Sequence, residues 1–162
     1  MKNLNTYINE QIIMEANTKP DQKLFIMIKP GFLDKMEDII NELSTDLTIY
    51  KRTLKKLTLD EAQQIYDIHK DQPFYNDLCE YMSSDISCGM IVGYKSKYVF
   101  NKNKDKFVLK YTNNDNLIET VSGIKDIIRT EFGIDDMRNV MHSSDSYEHS
   151  ITESSIYFGF PM

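Results

Sequence analysis

The spacing of apolar residues changes several times along this chain, and each change marks an element. Residues 24–28, Leu24-Phe25-Ile26-Met27-Ile28, form an unbroken apolar run closed by Lys29-Pro30-Gly31. The run is too short for a helix, and without polar alternation both of its faces must be covered. It therefore predicts a central buried strand that presents Lys29 at its C-terminal end. Met36, Ile39, Ile40 and Leu43 then recur at helical spacing, with Asp34 as the N-cap. Over residues 47–57 the period drops to two, and Ile49 and Leu54 alternate with basic residues as in a second strand.

Thr58 followed three residues later by Glu61 is a capping box, and Leu59, Ala62, Ile65, Tyr66 and Ile68 carry a helical repeat on to His69. Pro73 separates that helix from another over residues 74–82. Residues 86–94 are rich in β-formers and predict a third core strand. The lysine-rich stretch and the Asn/Asp loop at 113–116 read as a variable helical and loop region, followed by a short helix at 124–132 stopped by Gly133. Residues 139–141 predict the last strand. Residues 144–146 then look like the cap of a last helix ending near Phe158.

The order β, α, β, helical pair, β, variable region, β, α suits an α+β fold, a ferredoxin-like four-stranded antiparallel sheet covered by helices on one face. Residues 1–22 are polar apart from Ile8, Ile12, Ile13 and Met14 and read as an N-terminal extension holding at most one helical turn. Residues 23–162 form the domain.

Composition narrows the function classes. The 162 residues suit one domain, since domains cluster at roughly 100 to 150 residues, plus a tail. No apolar run approaches the roughly 20 residues of a spanning helix, so no membrane role is expected. The polar start lacks a secretory core, which predicts a cytoplasmic chain. Cys79 and Cys88 stand in no metal or redox spacing and are expected to be reduced thiols packed as small hydrophobes. A net charge of -6 argues against a nucleic-acid partner. Locally, Lys95, Lys97, Lys102, Lys104, Lys106 and Lys110 surround the single acid Asp105, a cluster suited either to a compact polyanion or to a solvated face. Neither a GxxxxGK[ST] nor a GxGxxG phosphate loop occurs.

The chemistry concentrates in Arg138-Asn139-Val140-Met141-His142-Ser143-Ser144-Asp145-Ser146. A short apolar pair delivers His142 to a Ser/Asp-rich turn, at a strand exit rather than within a core. Glu153 lies on the following helix, within reach of the second ring nitrogen. An imidazole held unprotonated can attack phosphorus or act as a general base. The same residues also suit a surface histidine beside a helix cap.

Taken in order, Ile28-Lys29-Pro30, Tyr66, Asp71-Gln72-Pro73-Phe74-Tyr75, Tyr81-Met82-Ser83-Ser84 and the 138–146 segment resemble the nucleoside diphosphate kinase family across residues 23–158. That resemblance implies a ferredoxin-like fold and Mg²⁺-dependent, ping-pong transfer of the γ-phosphoryl of a nucleoside triphosphate to a nucleoside diphosphate. A phosphohistidine intermediate and a homo-oligomer are implied with it. By the same likeness His142 is the phosphorylated residue, Glu153 fixes its ring and Ser144 bonds the glutamate. Lys29 reaches the sugar hydroxyl and the transferring phosphate, Tyr66 sets its hydroxyl beside the histidine, and Asn139 contacts the sugar. Phe74 and Leu78 hold the base, while Thr112, Arg129 and Lys106 contact phosphates. The metal is carried by the phosphates rather than by protein ligands. His69 and His149 have no counterpart in these motifs and are expected on the surface.

The chain departs from the family pattern in several places. Gly31-Phe32 replaces the usual Asp-Gly, and the loop at 113–125 is rewritten. Ser143 stands where the family has glycine, which would cost strain if that backbone needed a positive φ. These changes keep a second reading open, a catalytically weak or inactive nucleotide-binding module that retains the fold.

Overall fold

The computed structural model describes residues 22–111, 116–160 and 162. The facultative turn in residues 1–21, most of the 113–116 loop and Thr112 lie outside them. The elements are β1 (Lys23–Ile28), α1 (Met36–Asp46), β2 (Leu47–Lys55), α2 (Leu59–Ile65), α3 (Tyr75–Met82) and β3 (Ser87–Tyr94). They continue with β4 (Ser96–Asn101), β5 (Lys106–Tyr111), α4 (Leu117–Phe132), β6 (Met141–Ser143) and α5 (Tyr147–Phe158).

The main sheet has four strands in the order β2-β3-β1-β6, every neighbouring pair antiparallel. This is the ferredoxin-like α+β arrangement. The helices cover both faces, not one. In β1, Leu24, Ile26 and Ile28 pack with Ile39 and Leu43 of α1 and Leu117, Val121, Ile124 and Ile128 of α4. Phe25 and Met27 point the opposite way, toward α2, α3 and Tyr157 of α5. An unbroken apolar strand requires apolar cover on each side, and this one receives it.

Tyr157 shows how tightly the second face closes. Its ring fills the space above Gly89, where any side chain would collide with it. The backbone N–H of Gly89 donates to the Tyr157 hydroxyl at 3.0 Å, and that hydroxyl lies 3.1 Å from the Ser87 carbonyl. Tyr157→Phe should leave the buried N–H unpaired and cost about 1 to 3 kcal/mol. A lowered urea midpoint with an unchanged m-value would show it, and an unshifted midpoint would contradict it.

Several boundaries differ from those read in the sequence. Asp34 does not cap α1: a short 3₁₀ turn, Leu33–Lys35, precedes the helix, and Lys35 occupies the cap without a side-chain bond. The Thr58–Glu61 capping box forms as expected, yet α2 stops at Ile65 and the chain continues through a 3₁₀ turn at Asp67–His69. The lysine-rich stretch is a β-hairpin, not a helical and loop region. β4 and β5 pair antiparallel as a separate two-stranded sheet, and Asn101 Oδ1 accepts from the N–H groups of Asn103 and Lys104 in the turn. Tyr98-Val99-Phe100 and Phe107-Val108-Leu109 are strand formers on either side of a polar turn.

α4 begins seven residues before the predicted helix, capped by Asn116, whose side chain accepts from Ile118 N–H. Leu117 and Val121 extend the buried stripe of Ile124 and Ile128 at helical spacing, so packing carries the helix back to the cap. Gly133 ends α4 in an extended rather than a left-handed conformation. The two thiols are free and buried, Cys88 against one face of the sheet and Cys79 against the other.

Candidate functional site

The last strand lies two residues later than the sequence suggests, which changes the setting of His142. Val140 adopts φ 80° and is fully buried. Met141 N–H donates to the Asn139 carbonyl at 3.0 Å across it, a γ-turn with positive φ, and the Val140 carbonyl accepts from Lys29 N–H at 2.8 Å. A β-branched residue in that conformation costs on the order of 1 to 3 kcal/mol, sustained here by burial and by both hydrogen bonds. The turn breaks the predicted strand and starts β6 at Met141. His142 is therefore the middle residue of a paired strand, opposite Met27 of β1, rather than a strand exit. The strain anticipated at Ser143 is absent: Ser143 is extended, and Val140 carries the positive φ instead.

His142 Nε2 lies 2.9 Å from Glu153 Oε2, and the Ser144 hydroxyl donates to the same oxygen. Glu153 and Ser144 are buried. α5 places the glutamate here because Ser146 caps its first turn, accepting from His149 N–H at 3.1 Å. A carboxylate acceptor at Nε2 favours the proton on that nitrogen, which leaves the lone pair on Nδ1. A fixed ring with one nucleophilic nitrogen is the result.

The cleft holds about 510 Å³ and is lined by Lys29, Tyr66, His69, Phe74, Leu78, Arg129, Asp136, Met137, Asn139 and His142. Its ends differ in chemistry. Lys29, at the exit of β1, donates from Nζ to the Met137 carbonyl at 3.1 Å, and Arg129 on α4 donates to the Met141 carbonyl at 2.9 Å. Burial and the neighbouring charges of Arg129 and Lys125 hold Lys29 down to about 8. At the other end Phe74 is 43% exposed just before α3, and Leu78 lies one turn further on. Tyr66 packs edge-on to His142 with ring centroids 5.2 Å apart. Burial pushes its hydroxyl well above the usual phenol range, so it stays a proton donor.

Three buried side-chain polar atoms among the described residues have no hydrogen-bond partner: Tyr66 Oη, Arg129 Nε and Asn139 Oδ1. All three belong to residues that line this cleft. A buried polar atom left unpaired is costly, so such a cluster marks a place prepared for a polar ligand.

Of the residues singled out in the sequence, Lys29, Tyr66, Phe74, Leu78, Arg129, Asn139 and His142 line one cleft, with Glu153 and Ser144 directly behind the imidazole. Lys106 does not join them: it opens β5, paired with Asn101, because the hairpin ladder fixes its place. His69 was expected on the surface and instead lines the cleft, its ring 5.7 Å from Phe74 and 6.4 Å from Tyr66. Its position three residues after Tyr66, one turn along the same face, was the available signal. Asp136 and Met137 carried no such signal, since the loop that brings them in has no period.

Three comparisons bear on this arrangement. A family model described as nucleoside diphosphate kinase matches residues 22–160. The chain is 29% identical over 141 residues to a nucleoside diphosphate kinase of Kosmotoga olearia, covering 85% of this chain and 88% of that protein. It is 30% identical over 146 residues to a probable nucleoside diphosphate kinase of Dictyostelium discoideum, covering 82% of this chain and 89% of that one. Among solved structures, the Aquifex aeolicus nucleoside diphosphate kinase superposes with a TM-score of 0.61 at 22% identity, over 86% of this chain and 96% of the other. The apo enzyme from Encephalitozoon cuniculi gives 0.65 at 20% identity, over 85% and 89%. With the family match running from just before β1 to just past α5, this chain belongs to the nucleoside diphosphate kinase family of phosphotransferases.

Proposed function

We propose that this protein moves the γ-phosphoryl group of a nucleoside triphosphate to a nucleoside diphosphate by a ping-pong route through phosphorylated His142. The observation that carries the reading is the cleft itself. One imidazole oriented by a buried carboxylate, two cations and three unpaired polar atoms converge where a nucleotide would fit. His142 Nδ1 attacks the γ-phosphorus in line, the bond to the leaving nucleoside diphosphate breaks, and that product departs. A second nucleoside diphosphate then takes the phosphoryl from the histidine through the same geometry.

The cationic end suits the phosphates: Lys29 and Arg129 stabilise charge on the transferring oxygens, and the Tyr66 hydroxyl donates beside them. Asn139 Oδ1 accepts from a sugar hydroxyl. Phe74 stacks on the base with Leu78 beneath it, which tolerates any base because every base has a π-face. Thr112 retains its implied role on a phosphate.

Among the described residues no group of three or more His, Cys, Asp or Glu side chains gathers as a metal cage, and Asp136 is the carboxylate lining the cleft. That donor set fits Mg²⁺ arriving on the nucleotide phosphates, with most of its ligands from phosphate and water. When bound, the ion supplies further charge neutralisation. Residues 23–162 form the catalytic domain in this reading, with 1–22 as an appendage. The protein works as a cytoplasmic homo-oligomer. Among the described residues, no helix is long and apolar enough to cross a membrane.

The test is direct. After mixing with Mg-ATP, an acid-labile phosphoryl group should form on the protein and pass to an added nucleoside diphosphate. Intact protein of unchanged mass would reject the assignment in favour of a binding module.

A further inference from the structure

Lys125 is a half-buried cation beside this site with no part in the transfer just described. It lies one helical turn before Arg129 on α4, and both side chains hydrogen-bond to β6. Arg129 bonds the Met141 carbonyl, and Lys125 Nζ donates to Ser143 Oγ at 2.9 Å. Their anchors therefore flank His142 on either side. The match is metric: four helical residues rise about 6 Å, and two strand residues span about 6.6 Å.

The electrostatics point the same way. Lys125 sits among like charges, and both burial and Arg129 lower its proton affinity, against the opposing pull of Asp145 and Asp126. Lys29 is in turn faced by Arg129 and Lys125 from α4 and by Asp135 from the loop before β6. Asp136, Tyr66, His69 and His142 share the cleft with Lys29. Lys29 and Arg129 in the cleft wall and Lys125 behind it repel one another in the free protein, and a polyanion relieves that repulsion.

We infer that Lys125 is a positioning residue for polyphosphate: anchored on Ser143, it fixes β6 on the far side of His142 from Arg129 and sets a third positive charge behind the phosphate end of the cleft. The inference rests on the transferase reading and deepens it. It gives Ser143 a purpose as well, because a glycine at that position could not hold the ammonium.

Binding of Mg-ATP, Mg-ADP and adenosine to wild type, Lys125→Met, Lys125→Arg and Ser143→Ala tests it by calorimetry. Lys125→Met should lose about fivefold in affinity for Mg-ATP, the equivalent of roughly 1 kcal/mol of screened charge, while adenosine binding stays unchanged. Lys125→Arg should restore Mg-ATP affinity. Equal losses for adenosine and Mg-ATP, or no loss for either, would overturn the inference.

A second measurement does not depend on turnover. The Lys29 side chain, followed by ¹³C NMR in the nucleotide-free protein, should titrate roughly half a pH unit higher in Lys125→Met, because one repelling charge is gone. In Ser143→Ala, which keeps the charge, the shift should be smaller. An unmoved Lys29 titration in Lys125→Met would reject the shared field. Wild-type protein that binds no nucleotide would overturn the transferase reading instead, and the Lys29 titration would still decide whether Lys125 belongs to the cluster.

Discussion

His142→Ala should abolish phosphoryl labelling from Mg-ATP and reduce transfer to a nucleoside diphosphate by more than about a thousandfold, because His142 is the cleft-lining imidazole that a buried carboxylate orients. The lining also offers hydroxyl, amide, ammonium and guanidinium groups and the Asp136 carboxylate, but among the described residues no second imidazole hydrogen-bonded to a carboxylate. His69 instead stacks on Tyr66 and meets Phe74 at a tilt. The protein should remain folded. The His142 side chain is 17% exposed, and the Ser144 hydroxyl keeps Glu153 paired after the ring is lost. The expected cost is therefore that of one hydrogen bond, about 1 kcal/mol. Intact mass after incubation with Mg-ATP, paired with a thermal melt, reads both outcomes. Retained labelling in a folded variant would move the nucleophile elsewhere.

Lys29→Met should lower kcat/KM by about a hundred- to a thousandfold, the effect of removing one preorganised cation from the developing charge. Its pH signature is more specific. Burial and two neighbouring cations bring Lys29 from the usual 10.5 to about 8. Bound phosphates favour the ammonium, so above about pH 8 nucleotide binding should take up a proton, and affinity should fall as the pH rises further. Calorimetry in buffers of different ionisation enthalpy measures this uptake, which Lys29→Met should remove. For folding, the unfolded chain holds the proton up to about 10.5 while the folded chain releases it near 8. Lys29 therefore costs stability below pH 8, and the cost is relieved as the pH rises toward 10.5. Proton uptake unchanged in Lys29→Met would assign the ionisation to another group.

Much of the architecture was legible along the chain. The run Leu24-Phe25-Ile26-Met27-Ile28 could only be a strand buried on both faces, and the Thr58–Glu61 pair carried its own helix start. Other elements were misread where local pattern was weak. The first turns of α4 fall in the variable helical and loop stretch of the sequence reading, although Leu117 and Val121 continue the buried stripe. The hairpin was hidden because its lysines obscured two short runs of strand formers.

What the sequence alone determined is the order of the four core strands and the inventory of chemistry: one imidazole beside a Ser/Asp turn, a glutamate eleven residues on, and a lysine at the end of the central strand. Chain order and residue type are local facts, and period and capping are local physics. Only the tertiary structure decided the rest. It put His142 inside β6 through the strained turn at Val140, brought His69 into the cleft, left Lys106 on the hairpin and set Lys125 beside Ser143. The reason is that side-chain direction depends on strand register and on how a helix lies across a sheet, and both follow from packing contacts between residues distant in the chain.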